Sequence, residues 1–263
     1  MRIALILFSL LSYQSAFAYI PPSYFFVRLL SKKHADLKNS ALKYQVSFYD
    51  SDTATPHSTF NDTIYISDGK ISSVLKGTGS EILASSAKSM DEEGSNFSLF
   101  TAALFFYHPS KMFHVFKKSG LPIKTEAQVY EDKDSKNPNI PYKPESSVTL
   151  THIQSRLVYI FNGDNGRTIS PPQIWFDKSS MLPIRVVFRT ADGEALDVRI
   201  AHHSVYQNSF LPKVIDVYKG GSLWSKLELL DASALTKHPD IANKIASSIP
   251  QADSIESYMK WLH

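Results

Sequence analysis

The clearest alternation of hydrophobic and polar positions runs from Pro172 to Asp231. Short segments rich in β-branched and aromatic residues recur there, and turn residues such as Ala191-Asp192-Gly193 and Gly220-Gly221 separate them. Both features are typical of strands joined by tight turns. The stretch therefore predicts a meander of about five antiparallel strands. Their expected ranges are 173–177, 182–189, 194–206, 211–218 and 222–230.

Parity within these strands predicts one apolar face. Ile184, Val186 and Phe188 share one side of their strand, and Arg185 and Arg189 share the other. In the last strand the apolar positions are Leu223, Leu227 and Leu229, opposite Lys226 and Glu228, with Trp224 and Leu230 out of phase. A sheet with one apolar face must cover that face with another layer.

The N-terminal third predicts a helix, a strand and a hairpin. Tyr24 to Leu37 is modestly amphipathic, and Leu42 to Tyr49 alternates as a strand with Leu42, Tyr44, Val46 and Phe48 on one face. Thr63 to Ser67 and Lys70 to Leu75 flank Asp68-Gly69, a dipeptide that favours a tight hairpin turn.

Four other stretches carry weaker patterns. Residues 77–94 predict a loop or a weakly formed short helix, and 124–130 a short strand. Residues 147–161 predict a strand with a bulge near Ser155-Arg156, where the alternation changes phase. Residues 232–249 are weakly helical in pattern. Apart from these four stretches, 252–262 has apolar residues at Ile255, Tyr258, Met259 and Leu262 and predicts a terminal helix.

The run from Phe97 to Gly120 is apolar nearly all round and is interrupted by Pro109, which predicts two helices or one kinked helix. Such a helix must be buried on every side or face something other than water. One interpretation is a core helix packed on the sheet. The other is a mobile lid, over about 97–120, whose aromatic face closes an apolar cavity.

The first eighteen residues predict a signal peptide. Arg2 supplies a positive charge, Ile3 to Leu11 an apolar core, and Ala16-Phe17-Ala18 a cleavage site. We expect cleavage after Ala18, and a single domain over residues 19–263. No later stretch approaches the roughly 20 apolar residues of a membrane-spanning helix, so we expect no stable membrane insertion.

Composition points to an exported protein of the bacterial cell envelope. The 263 residues include no cysteine, which excludes disulfides and thiol-linked lipid and suits the periplasm. A net charge of +3 is too small to indicate nucleic-acid binding. We expect no cofactor.

Motifs for catalysis or metal binding are absent from the sequence. The chain has nine histidines, but His108 and His114 are six positions apart, and His202 and His203 are adjacent on a predicted strand. Neither spacing matches a zinc motif, and no nucleophile elbow or phosphate-binding loop is present. We therefore expect neither catalytic nor metal-binding residues. A triad or a carboxylate pair assembled in space stays open.

The C-terminal half resembles the periplasmic lipoprotein-sorting family of the LolA/LolB type. The resemblance rests on Ile174-Trp175-Phe176-Asp177-Lys178, Leu182-Pro183-Ile184-Arg185 and Phe210-Leu211-Pro212-Lys213, and spans roughly Pro172 to Leu230. It implies an α+β fold with a curved, incompletely closed antiparallel β-barrel (half-barrel) covered by helices, in which acyl chains are held. The long insertion over 97–120 departs from the compact family pattern.

Together these points give the hypothesis of a periplasmic carrier with a vacant interior between sheet and lid. Its partner would be a lipid or an acylated lipoprotein, bound through apolar contacts. Its expected cavity residues are Phe105, Phe106, Phe113, Trp175, Val186, Phe188, Ile215, Val217 and Leu227. Alternatives are a scaffold that binds another envelope protein and, more weakly, an envelope hydrolase.

Overall fold

A computed structural model describes residues 20–50, 53–67, 69–77, 81–89, 97–131, 145–163, 169–190, 192–245 and 252–262. The expected signal peptide and its cleavage site lie outside these ranges. Within them the chain forms one antiparallel sheet and several helices.

The sheet joins strands from both halves of the chain. Its strands are β1 (Ser40–Phe48), β2 (Ser58–Ser67), β3 (Lys70–Lys76), β4 (Ile82–Ser89), β5 (Val148–Ile153), β6 (Arg156–Phe161), β7 (Gln173–Asp177), β8 (Pro183–Arg189), β9 (Ala195–Tyr206), β10 (Ser209–Lys219), β11 (Ser222–Ala234) and β12 (Lys244–Ile245). The order is β12-β4-β3-β2-β1-β11-β10-β9-β8-β7-β6-β5. The first strand thus pairs with β11, which links an N-terminal meander to the C-terminal one. Among the described strands the two edges, β12 and β5, do not meet, so the sheet is open and the expected α+β class is confirmed.

The helices are α1 (Ser23–Lys33), α2 (Leu99–Phe105), α3 (Pro109–Lys118), α4 (Glu126–Glu131) and α5 (Ala252–Leu262), with a 3₁₀ turn over Ala35–Leu37. The Oγ of Ser98 accepts the amide N–H of Thr101 at 3.1 Å and so caps α2. Pro109 begins α3, where its fixed φ and missing N–H are tolerated. Of the two alternatives at Pro109, the chain forms two separate helices and not one kinked helix.

Most strong patterns gave the correct elements. The five-strand meander from β7 to β11, the N-terminal helix, the hairpin of β2 and β3, and the terminal helix α5 are all confirmed. Gly69, with φ of +73°, occupies the hairpin turn. The four alternating apolar side chains of β1 are all fully buried, as expected: Leu42, Tyr44, Val46 and Phe48.

Two bulges shift the faces that simple alternation assigns. Phe176 pairs with Pro183 and Trp175 with Arg185, which leaves Ile184 as an extra residue in β8. Ile184 therefore packs beside Trp175, on the opposite side from the main core. Its expected place beside Val186 and Phe188 was wrong.

The second bulge lies near the start of β11. Val217 pairs with Ser225 and Tyr218 with Leu223, so Trp224 is the extra residue. As a result Trp224 packs against the core, and Leu223 does not belong to that cluster. The expectation that Leu223 is a core position was wrong.

The weaker patterns were assigned incorrectly. Residues 82–89 form β4, although a loop or short helix was expected, and 126–131 form helix α4 in place of a strand. The phase change after Ile153 is a hairpin turn between β5 and β6, in which Gln154 and Ser155 have positive φ values of 46° and 68°. β11 runs to Ala234 and β12 follows, where a helix was expected.

One apolar cluster occupies the interior between the sheet and the helices α1, α2, α3 and α5. A second, small cluster of Val158, Ile160 and Trp175 lies apart from it. The main interior therefore belongs to a single face of the sheet.

Candidate ligand-binding cleft

The helices fill the concavity of the sheet with aromatic side chains. Helix α2 packs on β8 and on α3, which also contacts α1. From the C-terminal helix, the ring of Tyr258 lies 5.8 Å from that of Phe48, and Trp261 lies 4.6 Å from Phe100, both edge-on. Such edge-to-face pairs add to the apolar burial.

The structure brings most of the expected cavity residues together. Seven belong to the main core: Phe105, Phe106, Val186, Phe188, Ile215, Val217 and Leu227. Phe113 is partly buried and packs against that core. Trp175 belongs to the small cluster on the opposite side and shares a face with its pairing partner Arg185. Its expected place with the other eight was wrong.

The side chains at these positions are closely packed. Phe105 is fully buried, and Phe188 retains only 3% of its surface. Within the described residues, the helices of 97–120 pack against the core, which agrees with the first interpretation, and the mobile lid stays a prediction.

A cleft of about 420 Å³ opens at one end of the helical layer. It lies where the start of α2, the end of α3, the end of β8 and the end of α5 converge. Its apolar walls are Phe97, Leu99, Val115, Phe188, Trp261 and the Pro171-Pro172 pair. The volume is within the range of small-molecule sites, roughly 300–1,000 Å³.

The polar part of the cleft is basic and hydroxylic. It comprises Lys118, Arg189, Lys260, Ser98, Ser119 and Thr190, and the described lining contains no carboxylate. An ion pair of 2.9 Å joins Lys260 to Glu256 within α5. The Nη1 of Arg189 donates to the carbonyl oxygen of Gly193 at 3.0 Å. Lys88 lies close enough to Lys118 that burial first, and the charge of Lys118 second, lower the pKa of Lys88.

Trp261 lines the cleft and has a buried N–H group without an acceptor among the described residues. Its side chain is 1% exposed, and its Nε1 has no hydrogen-bond partner in the part of the chain that the structure describes. Leaving a buried N–H without an acceptor costs about 1–3 kcal/mol.

The histidines form no metal site in the described ranges, where no group of three potential ligands occurs. His34 is buried, and its Nδ1 lies 3.0 Å from the carbonyl oxygen of Phe106. Burial lowers the pKa of His34 to about 4, and likewise that of His203. These rings act as neutral structural groups at neutral pH.

Sequence reasoning identified Phe188 but missed the rest of the cleft. Lys118, Arg189, Lys260 and Trp261 come from three separate elements, and no local motif connects them. The only signal was the aromatic and basic end of the C-terminal helix, Met259-Lys260-Trp261.

Comparison with known proteins gives matches among solved structures alone. No protein-family model and no curated protein matches the chain. The chain is similar to the crystal structure of a LolA superfamily protein from Nitrosomonas europaea, with 10% identity and a TM-score of 0.47 over 84% of this chain and 96% of that chain. It is also similar to a DUF1329 family protein from Desulfovibrio piger, with 6% identity and a TM-score of 0.35 over the same shares. The open antiparallel sheet is assigned from the strand order of this chain and not from these similarities.

Proposed function

We propose that this protein is a periplasmic, non-enzymatic binding protein that carries an acyl chain or another apolar ligand, with residues 19–263 as a single domain. The cargo would be a lipid or an acylated lipoprotein. The observation that carries the proposal is the cleft of about 420 Å³, whose walls include Phe97, Leu99, Val115, Phe188 and Trp261. Burying each methylene of a ligand there contributes about 0.8 kcal/mol.

In this proposal the expected cavity residues have different roles because they differ in their distance from the cleft. Phe188 lies at the boundary, since it belongs both to the core and to the cleft wall. The ligand would first occupy the cleft beside Phe188. A longer chain would reach Phe105, Val186 and Leu227 only if the helical layer moved away from the sheet.

Placement outside the cytoplasmic membrane is part of the proposal. No helix in the described ranges combines the length and apolarity needed to cross a bilayer. The sequence of the first eighteen residues supports export, and the absence of cysteine is compatible with a periplasmic protein.

A neutral fluorescent probe tests the proposal directly. N-phenyl-1-naphthylamine gains emission on entering an apolar site, and we expect saturable binding by the purified mature protein. Ser119→Trp and Thr190→Trp place an indole in the cleft and should each weaken binding at least about tenfold. Ser233→Trp, at an exposed position of β11, is the matched control and should bind like the parent.

The native cargo is sought in parallel by solvent extraction of the purified protein and mass spectrometry. Circular dichroism establishes that each Trp variant is folded. Absence of saturable probe binding, together with lipid-free extracts, rejects carriage. Equal binding by parent and cleft variants rejects this cleft as the site.

The burial of the expected cavity residues also favours a second candidate, a scaffold that binds an envelope protein. In the described part of the chain β5 is an edge strand that pairs with β6 alone, so its other side can accept a strand from a partner. A stoichiometric partner in a pull-down, lost when Thr151→Pro interrupts β5, together with no probe binding, would support the scaffold over the carrier.

A further inference from the structure

Polar atoms that burial leaves without a hydrogen-bond partner gather where helix α5 packs on the sheet. In the part of the chain that the structure describes there are four such side-chain atoms, and three of them are Ser58 Oγ, Ser225 Oγ and Trp261 Nε1. Ser58 and Ser225 pair with Phe48 from the two neighbouring strands and so share its face of the sheet. The ring of Tyr258 lies over Phe48, with centroids 5.8 Å apart, and Trp261 is itself part of α5.

These groups weaken the docking of α5. A buried donor or acceptor without a partner has lost its hydrogen bonds to water and gained none in return. If α5 leaves the sheet, water reaches all three atoms and that loss is recovered. Detachment of α5 therefore needs less free energy than its apolar contacts alone would require.

The described side chains of α5 make polar contacts with the sheet at one place. Tyr258 donates to Asp62, and the Oγ of Ser73 lies 3.8 Å from the Sδ of Met259. Ser73 also donates to Asp62, so both contacts belong to one small cluster on β2 and β3.

Helix α1, by contrast, is held at both ends. At its start the amide N–H and the hydroxyl of Ser23 donate to Glu145 at 2.9 and 2.7 Å. After its last turn, the Nδ1 of His34 lies 3.0 Å from the carbonyl oxygen of Phe106. Helix α1 therefore serves as an internal reference for α5.

Movement of α5 would change the cleft. Lys260 and Trp261 line it, and the Trp261 ring lies 4.6 Å from that of Phe100 and 6.4 Å from that of Trp224. Detachment of α5 removes this wall and extends the cleft toward Phe100 and Trp224, while the walls supplied by α2, α3 and β8 stay in place.

We propose that α5 is a gate of the cleft. It detaches from the sheet while α1 and the sheet stay folded, which admits an apolar ligand, and it closes again with Trp261 against the bound ligand. Local opening of this kind needs less free energy than global unfolding. The closing step rests on the proposed function, whereas the opening step depends on the contacts of α5 alone.

The chain contains no cysteine, so a single introduced thiol reports on one position. Ile255→Cys places it on the buried face of α5, and Val27→Cys places it on the buried face of α1. For each mature variant we would measure the rate of labelling by a maleimide dye and the free energy of unfolding in urea, which gives the rate expected from global unfolding. We expect the Ile255→Cys variant to react at least about tenfold faster than that rate, and the Val27→Cys variant to match it.

Ser225→Ala tests the origin of the opening, because it removes a buried hydroxyl that has no partner in the described ranges. Combined with Ile255→Cys, it should slow labelling at least about fivefold. Ser233→Ala, at an exposed position of the same strand, is the matched control and should leave the rate unchanged.

N-phenyl-1-naphthylamine tests the closing step. At a concentration about tenfold above its dissociation constant, the probe should slow labelling of the Ile255→Cys variant about tenfold, because it binds the closed wall.

Two results would overturn the inference. If both thiols react at the rate that global unfolding sets, α5 does not open locally. If bound probe accelerates labelling at α5 or leaves it unchanged, α5 does not close on the ligand. Absence of saturable probe binding counts instead against the carrier proposal, and the rates without probe still decide whether α5 opens. Hydrogen exchange of the unaltered protein, comparing residues 252–262 with 23–33, repeats the comparison should a variant fail to fold.

Discussion

The hydroxyl of Tyr258, on α5, donates a hydrogen bond of 2.5 Å to Oδ2 of Asp62, on β2. The Oγ of Ser73 donates to the other carboxylate oxygen at 2.6 Å. Both Asp62 and Tyr258 are fully buried, and burial raises the pKa of Asp62, an effect that its hydrogen bonds offset only in part. This contact ties the C-terminal helix to the sheet across 196 positions of sequence and so helps place Lys260 and Trp261 at the cleft.

Tyr258→Phe should destabilise the protein. The substitution keeps the ring contacts but removes a donor from a buried carboxyl group, so we expect a loss of about 1–3 kcal/mol in the free energy of unfolding. Urea denaturation followed by circular dichroism measures it. Tyr218→Phe is the control, because the Tyr218 hydroxyl makes no hydrogen bond within the described ranges, and it should cost under about 0.5 kcal/mol. Equal losses in both variants would show that the Asp62 contact adds nothing.

His34 should make stability depend on pH. Burial lowers the pKa of His34 from 6.5 to about 4, with smaller contributions from the facing charges of His203 and Lys33. Between these two values the unfolded chain binds a proton that the folded chain excludes. The stabilisation is therefore complete above about pH 6.5 and is lost as the pH falls toward about 4.

His34→Asn tests this dependence, because the Asn amide can still donate to the Phe106 carbonyl oxygen that now faces the ring. From neutral pH to about pH 4.5, the parent should lose about 2 kcal/mol more stability than the variant. Asp62 acts in the opposite direction, since its raised pKa favours the folded state at low pH, but it is present in both proteins. Parallel pH profiles for parent and variant would contradict the assignment.

The Asp197 carboxylate should stabilise the fold through its contacts with two arginines on the outer side of the sheet. Arg185 donates to both of its oxygens at 2.6 Å, and Arg199 donates to Oδ2 at 2.9 Å. Arg185 also lies 4.4 Å from the ring centroid of Trp175. Asp197→Asn should cost about 1.5–3 kcal/mol, because a partly buried, bidentate pair loses its charge.

A matched exposed pair calibrates that measurement. Glu194 contacts Lys219 at 2.8 Å with both side chains well exposed, so Glu194→Gln should cost under about 1 kcal/mol. Urea denaturation of the two variants gives the comparison. A larger loss of unfolding free energy for Glu194→Gln than for Asp197→Asn would contradict the prediction that the bidentate pair is the more stabilising of the two.

Because of the bulge in β11, truncating Trp224 should destabilise the protein more than truncating its neighbour Leu223. Trp224 packs on the core, with its ring 5.5 Å from Phe48, whereas Leu223 pairs with Tyr218 and lies outside that cluster. Trp224→Ala should cost at least about 2 kcal/mol and Leu223→Ala about 1 kcal/mol or less. Thermal or urea unfolding distinguishes this order from the reverse, which uninterrupted alternation predicts.

Much of the fold could be predicted because many strands are bounded by turn residues and alternate with a period of two. β1 is the clearest example, since its four apolar side chains are all buried as expected. β4 was missed because its sequence, ILASSAKS, is small and polar, and its pairing with β3 supplies the hydrogen bonds that propensity does not indicate. The fold class could therefore be predicted from the sequence, but the location of the cleft could not.

The sequence by itself determined the antiparallel meander, the paired helices around Pro109 and the terminal helix, because periodicity and turn residues act over a few neighbouring positions. Tertiary structure alone decided three other features. It placed β1 beside β11, it turned Trp175 and Ile184 away from the main core, and it brought Lys118, Arg189 and Lys260 to one cleft. These features depend on strand register and on packing between distant segments, and a one-residue register shift moves side chains to the other face while leaving the local pattern intact.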